Sequence, residues 1–160
     1  MKNETKFHIP FFDSAKYVLE EYGISDIERE DVQLNKALTM NYEVNVVVGL
    51  TGDIRGTVGL SLPQGTAINL AYQALQEKAS DKEGKLNRKA KDFIGEVIRK
   101  IALTGIDKVA VQGKEVEASP PTLVVGEELH IVISQVHTVS LLINSSVGEM
   151  QINVCLEGVH

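Results

Sequence analysis

The sequence predicts an α+β fold in which antiparallel strands carry long helices packed on one face. Three observations predict it. Residues 44–62 and 122–156 are rich in β-branched side chains and alternate in polarity, which is the pattern of strands with one buried face. Between them residues 87–112 repeat apolar positions at helical spacing. The chain has 160 residues, of which 43% are apolar, enough for one core and too few for two comfortable ones. Residues 1–160 are therefore expected to form a single domain.

The first helix is expected over 13–22. Asp13 or Ser14 can cap it, Ala15, Val18, Leu19 and Tyr22 share one face, and Gly23 stops it. An acidic, loop-like stretch to about Asp31 follows, then an edge strand over 32–40. Val44-Asn45-Val46-Val47-Val48-Gly49-Leu50 and Gly56-Thr57-Val58-Gly59-Leu60-Ser61-Leu62 read as a β-hairpin turning at Gly52-Asp53. Its glycines lie inside and between strands with no helix directly after them, so they mark close backbone approaches and not a phosphate cradle. After Pro63 a helix over 66–76, capped at Gly65 or Thr66, is expected to lie across the hairpin.

The long helix over 87–112 is the centre of the pattern. At 100° per residue, Ile94, Val97, Ile98, Ile101 and Ala102, with Gly105 and Val109 beyond, make its apolar stripe. Lys89, Asp92, Glu96, Arg99 and Lys100 fall on the other side, with Glu96 and Arg99 at i and i+3. Gly113 is a left-handed terminator. Pro120-Pro121 then fixes an extended backbone without donors, which belongs at a sheet edge or crossing point. Strands over 122–125, 129–136, 139–143 and 150–156 follow, broken at 126–128, at 137–138 and at 144–148, and they read as an antiparallel meander.

Composition narrows the function. A net charge of −6 argues against a nucleic-acid surface. No apolar run approaches the roughly 20 residues of a membrane span, and the N-terminus lacks a secretory pattern, so a soluble cytoplasmic protein is expected. Cys155, the one cysteine, sits in an alternating segment and reads as a small buried apolar residue. His8, His130, His137 and His160 show no metal-ligand spacing, and no serine stands in a Gly-x-Ser-x-Gly elbow. Neither a metal nor a small-molecule cofactor is suggested. The polar face of the long helix remains as the candidate surface; as bare residues, Glu96 and Arg99 would be an exposed helical ion pair worth at most about 0.5 kcal/mol.

Phe93-Ile94-Gly95-Glu96 in a long helix, followed by Ser119-Pro120-Pro121-Thr122-Leu123-Val124-Val125-Gly126, resembles the CheX branch of the CheC/CheX/FliY family of bacterial chemotaxis. The hairpin Leu50-Thr51-Gly52-Asp53-Ile54-Arg55-Gly56 and the helix start Thr66-Ala67 resemble it too, so the likeness covers most of the chain. The resemblance implies a phosphatase of a phosphorylated CheY-type receiver domain, whose phosphoaspartate site holds its own Mg²⁺. It also implies a helix motif of Glu, two residues, then Asn. The acid pairs with a receiver lysine and the carboxamide orients the attacking water. Glu96 matches the acid, but Arg99 stands at the Asn position and Leu103 where a glycine is usual.

A guanidinium carries five donors and no acceptor; it can bind phosphoryl oxygens but cannot take a proton from water. Three readings therefore stand. The chain is a phosphatase with Glu96 and Arg99 at its catalytic site, or a signalling module that binds a receiver through Asp92, Glu96, Arg99 and Lys100 without catalysis, or a structural homodimer joined through sheet edges, as relatives of this type are.

Overall fold

The computed structural model describes residues 6–35, 38–40, 42–126, 131–133 and 138–157. Three helices form: α1 (Ile9–Glu21), α2 (Gln64–Leu75) and α3 (Arg88–Ala110). Nine strands accompany them: β1 (Glu28–Asn35), β2 (Leu38–Met40), β3 (Val44–Gly52), β4 (Arg55–Leu62), β5 (Val116–Ala118), β6 (Thr122–Val125), β7 (Ile131–Ile133), β8 (Thr138–Ser145) and β9 (Gly148–Glu157). The expected α+β class holds, with antiparallel strands and helices on one face of the main sheet.

Helix α1 starts four residues earlier than the capping residues suggest. Pro10 occupies its first turn, where its fixed φ and missing N–H cost nothing. Asp13 and Ser14 lie inside the helix: Asp13 pairs with Arg29 at 3.0 Å, and the Ser14 hydroxyl donates to the Pro10 carbonyl at 2.6 Å. Neither Gly65 nor Thr66 caps α2, which begins after Pro63. Helix α3 is capped by Asn87, whose side chain accepts from the Ala90 N–H at 2.9 Å. It ends at Ala110, and Gly113 follows at φ +84°.

The main sheet has seven strands in the order β1-β8-β9-β4-β3-β5, with β6 also paired to β3. All its pairings are antiparallel. The expected hairpin is β3 with β4, from Val44 opposite Leu62 to Leu50 opposite Gly56. The meander is a correction. Of the described strands after α3, only β8 and β9 pair as sequential neighbours; β6 lies on β3, β9 also on β4, and β7 on β2 in a separate two-stranded sheet. The single strand expected over 32–40 is likewise two, and its first part begins at Glu28, within the stretch expected to be a loop. The remainder of the 129–136 expectation, and His130, His137 and His160, lie outside the described residues.

On the inner face Val44, Val46, Val48 and Leu50 of β3 and Val58, Leu60 and Leu62 of β4 meet α3, while Met150, Ile152 and Val154 of β9 face α2 and α1. Helix α2 thus rests on α3 and β9, beside the hairpin and not across it. Helices α1 and α3 pack tightly because Gly105 has no side chain: a Cβ there would stand 2.3 Å from the Phe11 ring. Part of the outer face is polar yet buried, with Ser61 donating to Asn45 at 2.6 Å, Ser140 to Asn153 at 2.7 Å, and Thr138 beside the buried Cys155 at 2.9 Å. Polar groups removed from water need such partners.

Candidate functional site

The exposed side of α3 carries Arg88, Lys89, Lys91, Asp92, Glu96, Arg99 and Leu103. At 100° per residue Glu96 stands between two cations, with Arg99 about 60° to one side and Lys100 about 40° to the other. Arg99 Nη1 donates to Glu96 Oε1 at 3.3 Å, and both side chains are half exposed (51% and 47%). Lys100 behaves differently. Its ammonium lies 4.9 Å from the centre of the Tyr22 ring, which is held edge-on against Phe93 at 4.9 Å. The Tyr22 hydroxyl beside it, with Glu21 and Glu96 adding to the effect, holds the Lys100 pKa above the ordinary lysine range. Lys100 rests on an aromatic ring, whereas Arg99 is tethered by one long contact to Glu96.

Two walls flank this ridge. On the Lys100 side stands the end of α1 with Tyr22. On the Arg99 side stands the link from β5 to β6, where Pro121 packs over Gly95; a Cβ at Gly95 would touch Pro121 at 3.5 Å, an ordinary contact. The link is pinned to β3 by Ser119, whose hydroxyl accepts from the Gly49 N–H at 2.8 Å while its own N–H donates to the Gly49 carbonyl at 2.9 Å. β5 and β6 continue one another along β3, so of the two places expected for Pro120-Pro121 it is the sheet edge, and no strand crosses there.

Of the residues singled out in the sequence, Glu96 and Arg99 are brought together, Lys100 stands next to them, and Asp92 lies one turn earlier, exposed. Lys89 turns away to pair with Glu77. Tyr22 and Pro121 were not singled out as parts of this surface. Aromatics at helical spacing read as core, and only the antiparallel packing of α1 on α3 brings Tyr22 to Lys100. Chemically the ridge offers the Glu96 carboxylate between an ammonium on an aromatic ring and a guanidinium held by one long contact, with the Asp92 carboxylate one turn earlier. Among the described residues no group of three His, Cys, Asp or Glu side chains is placed to hold a metal, and no helix is long and apolar enough to cross a membrane. A cavity of about 270 Å³ lined by Leu50, Thr51, Arg55, Gly56, Thr57, Cys155 and Glu157 lies at the far end of the hairpin and shares no residue with the ridge.

The model of the family described as chemotaxis phosphatase CheX matches residues 44–144, from the first strand of the hairpin through α3 and the double proline into β8. The chain belongs to the CheX family. Solved structures agree on the fold. A chemotaxis protein CheX from Desulfovibrio desulfuricans is 21% identical with a TM-score of 0.81, over 95% of this chain and 99% of that one. A CheX from Borrelia burgdorferi, solved in a CheX–CheY–BeF3–Mg²⁺ complex, is 21% identical with a TM-score of 0.81, over 94% and 97%. FliY from Thermotoga maritima lies further off, at 12% identity and a TM-score of 0.58 over 91% and 84%. No curated protein matches the chain.

Proposed function

We propose that this chain is a cytoplasmic chemotaxis protein that docks through the exposed ridge of α3 on the phosphorylated receiver domain of a CheY-type response regulator. The observation that carries the reading is the exposed Glu96–Arg99 pair on a ridge of α3 bounded by Tyr22 and Pro121, in a chain of the CheX family. Glu96 supplies a carboxylate for a receiver lysine, and Asp92, Arg99 and Lys100 complete the contact. The Borrelia burgdorferi relative, which was crystallised with CheY, BeF3 and Mg²⁺, supports a receiver as the partner. The chain acts as one domain, and sheet-edge pairing along β1, an eight-residue strand bonded only to β8 among the described strands, makes it a homodimer.

The same pair decides between catalysis and binding. Hydrolysis of an aspartyl phosphate needs a water held in line with phosphorus by a group that can accept from it. Arg99 has only donors, so the reading favoured here is a receiver-binding module with little phosphatase activity of its own. The family's description favours the second reading, a working phosphatase. The test is to mix the chain with a phosphorylated CheY-type receiver and follow loss of the phosphoryl group, with the natural protein and Arg99→Asn side by side. The natural chain is expected to leave the decay near its intrinsic rate, and the variant to speed it by about tenfold or more. A natural chain that already speeds the decay would make the protein a phosphatase and end the binding-only reading. Sedimentation giving a strict monomer would remove the dimer.

A further inference from the structure

We propose that Arg99 is the group by which this chain tells a phosphorylated receiver from an unphosphorylated one. On docking, its guanidinium exchanges Glu96 for the phosphoryl oxygens. The inference rests on the docking reading above and adds to it a residue and a selectivity.

Three observations carry it. First, the bond to be given up is weak: one Nη1 contact at 3.3 Å between half-exposed side chains, screened by water. Against it stands a phosphoryl dianion, which a planar guanidinium can grip with two parallel N–H bonds. Second, the neighbouring cation lies on the other flank. Lys100 rests on the Tyr22 ring, which Phe93 braces, so the cation beside Glu96 on the Pro121 side is Arg99. Third, Glu96 lies between the two, so an incoming receiver cation that takes the carboxylate releases Arg99 on the side of Pro121. Neither Pro120 nor Pro121 has an N–H with which to meet a phosphoryl oxygen there. Arg99 supplies the donors on that flank.

The consequence is a reader that holds the phosphorylated form. The test is a binding titration with a CheY-type receiver of the source organism in two states, bare and loaded with beryllofluoride and Mg²⁺ as a stable phosphoryl mimic. The natural chain is expected to bind the loaded receiver about tenfold or more tightly than the bare one, the scale of a charge-assisted hydrogen-bonded contact. Arg99→Met, which keeps the length of the side chain and removes every donor, is expected to abolish that preference, so that the variant binds the loaded and the bare receiver within about twofold of each other. Arg99→Lys should restore part of it, because charge returns without the fork. If Arg99→Met keeps the full preference, the role of Arg99 is overturned and docking stands. If the natural chain binds neither form, docking itself fails and this inference falls with it. Circular dichroism of each variant, unchanged from the natural chain, separates these outcomes from misfolding.

Discussion

Helix α3 has two sides that differ in how much each residue matters. The buried side sets Phe93, Ile94, Val97, Ile98, Ile101, Ala102, Gly105 and Val109 against the sheet and α1, nearly all with no exposed surface. Each touches several others, so the packing specifies the fold many times over. The exposed side holds the weak Glu96–Arg99 pair, the Lys89–Glu77 pair and one lysine resting on a ring. Nothing in the core senses which residue stands at position 99. The architecture is therefore compatible with many side chains at that solvent-facing position.

Substitutions on the two sides should separate by size. Phe11→Ala, which empties the site opposite Gly105, is expected to cost about 3–5 kcal/mol in urea unfolding. Gly105→Ala should cost about 1–3 kcal/mol, because its new methyl overlaps the Phe11 ring. In the Phe11→Ala background the same change should become neutral or favourable; a Gly105→Ala protein as stable as the natural one would contradict the packing described. Asn87→Ala removes the α3 cap and should cost about 1 kcal/mol. Gly95→Ala tests the opposite expectation: its methyl meets Pro121 at ordinary contact distance, so the helix should gain up to about 1 kcal/mol. Smallest of all, Arg99→Met should move stability by less than about 0.5 kcal/mol, so its effect should be read in receiver binding alone.

The periodicity of the sequence was enough to place all three helices and the hairpin, and the double proline marked a sheet edge, because each is encoded by residues close together. What it did not carry was partnership. An alternating segment says that it is a strand and not which strand it joins; β6 finds β3 about 80 residues away, and the local order of 122–156 misled towards a meander. Asp13 shows a similar limit. It carries the chemistry of a helix cap, but Pro10 starts the helix sooner, and the carboxylate bonds to Arg29 at the start of β1 instead. At the site, Glu96 and Arg99 were legible from i, i+3 spacing. Tyr22 and Pro121 were not, since both arrive from other elements.

The edge of the sheet beside α3 is made of β5 and β6, strands of three and four residues separated by two prolines. An extended peptide seeking to add itself there would meet two short ladders with a gap in their donors. This flank is a poor template for strand addition, so a partner reaching the exposed side of α3 would have to engage it through side chains, and stray unfolded chains find little to pair with beside that helix.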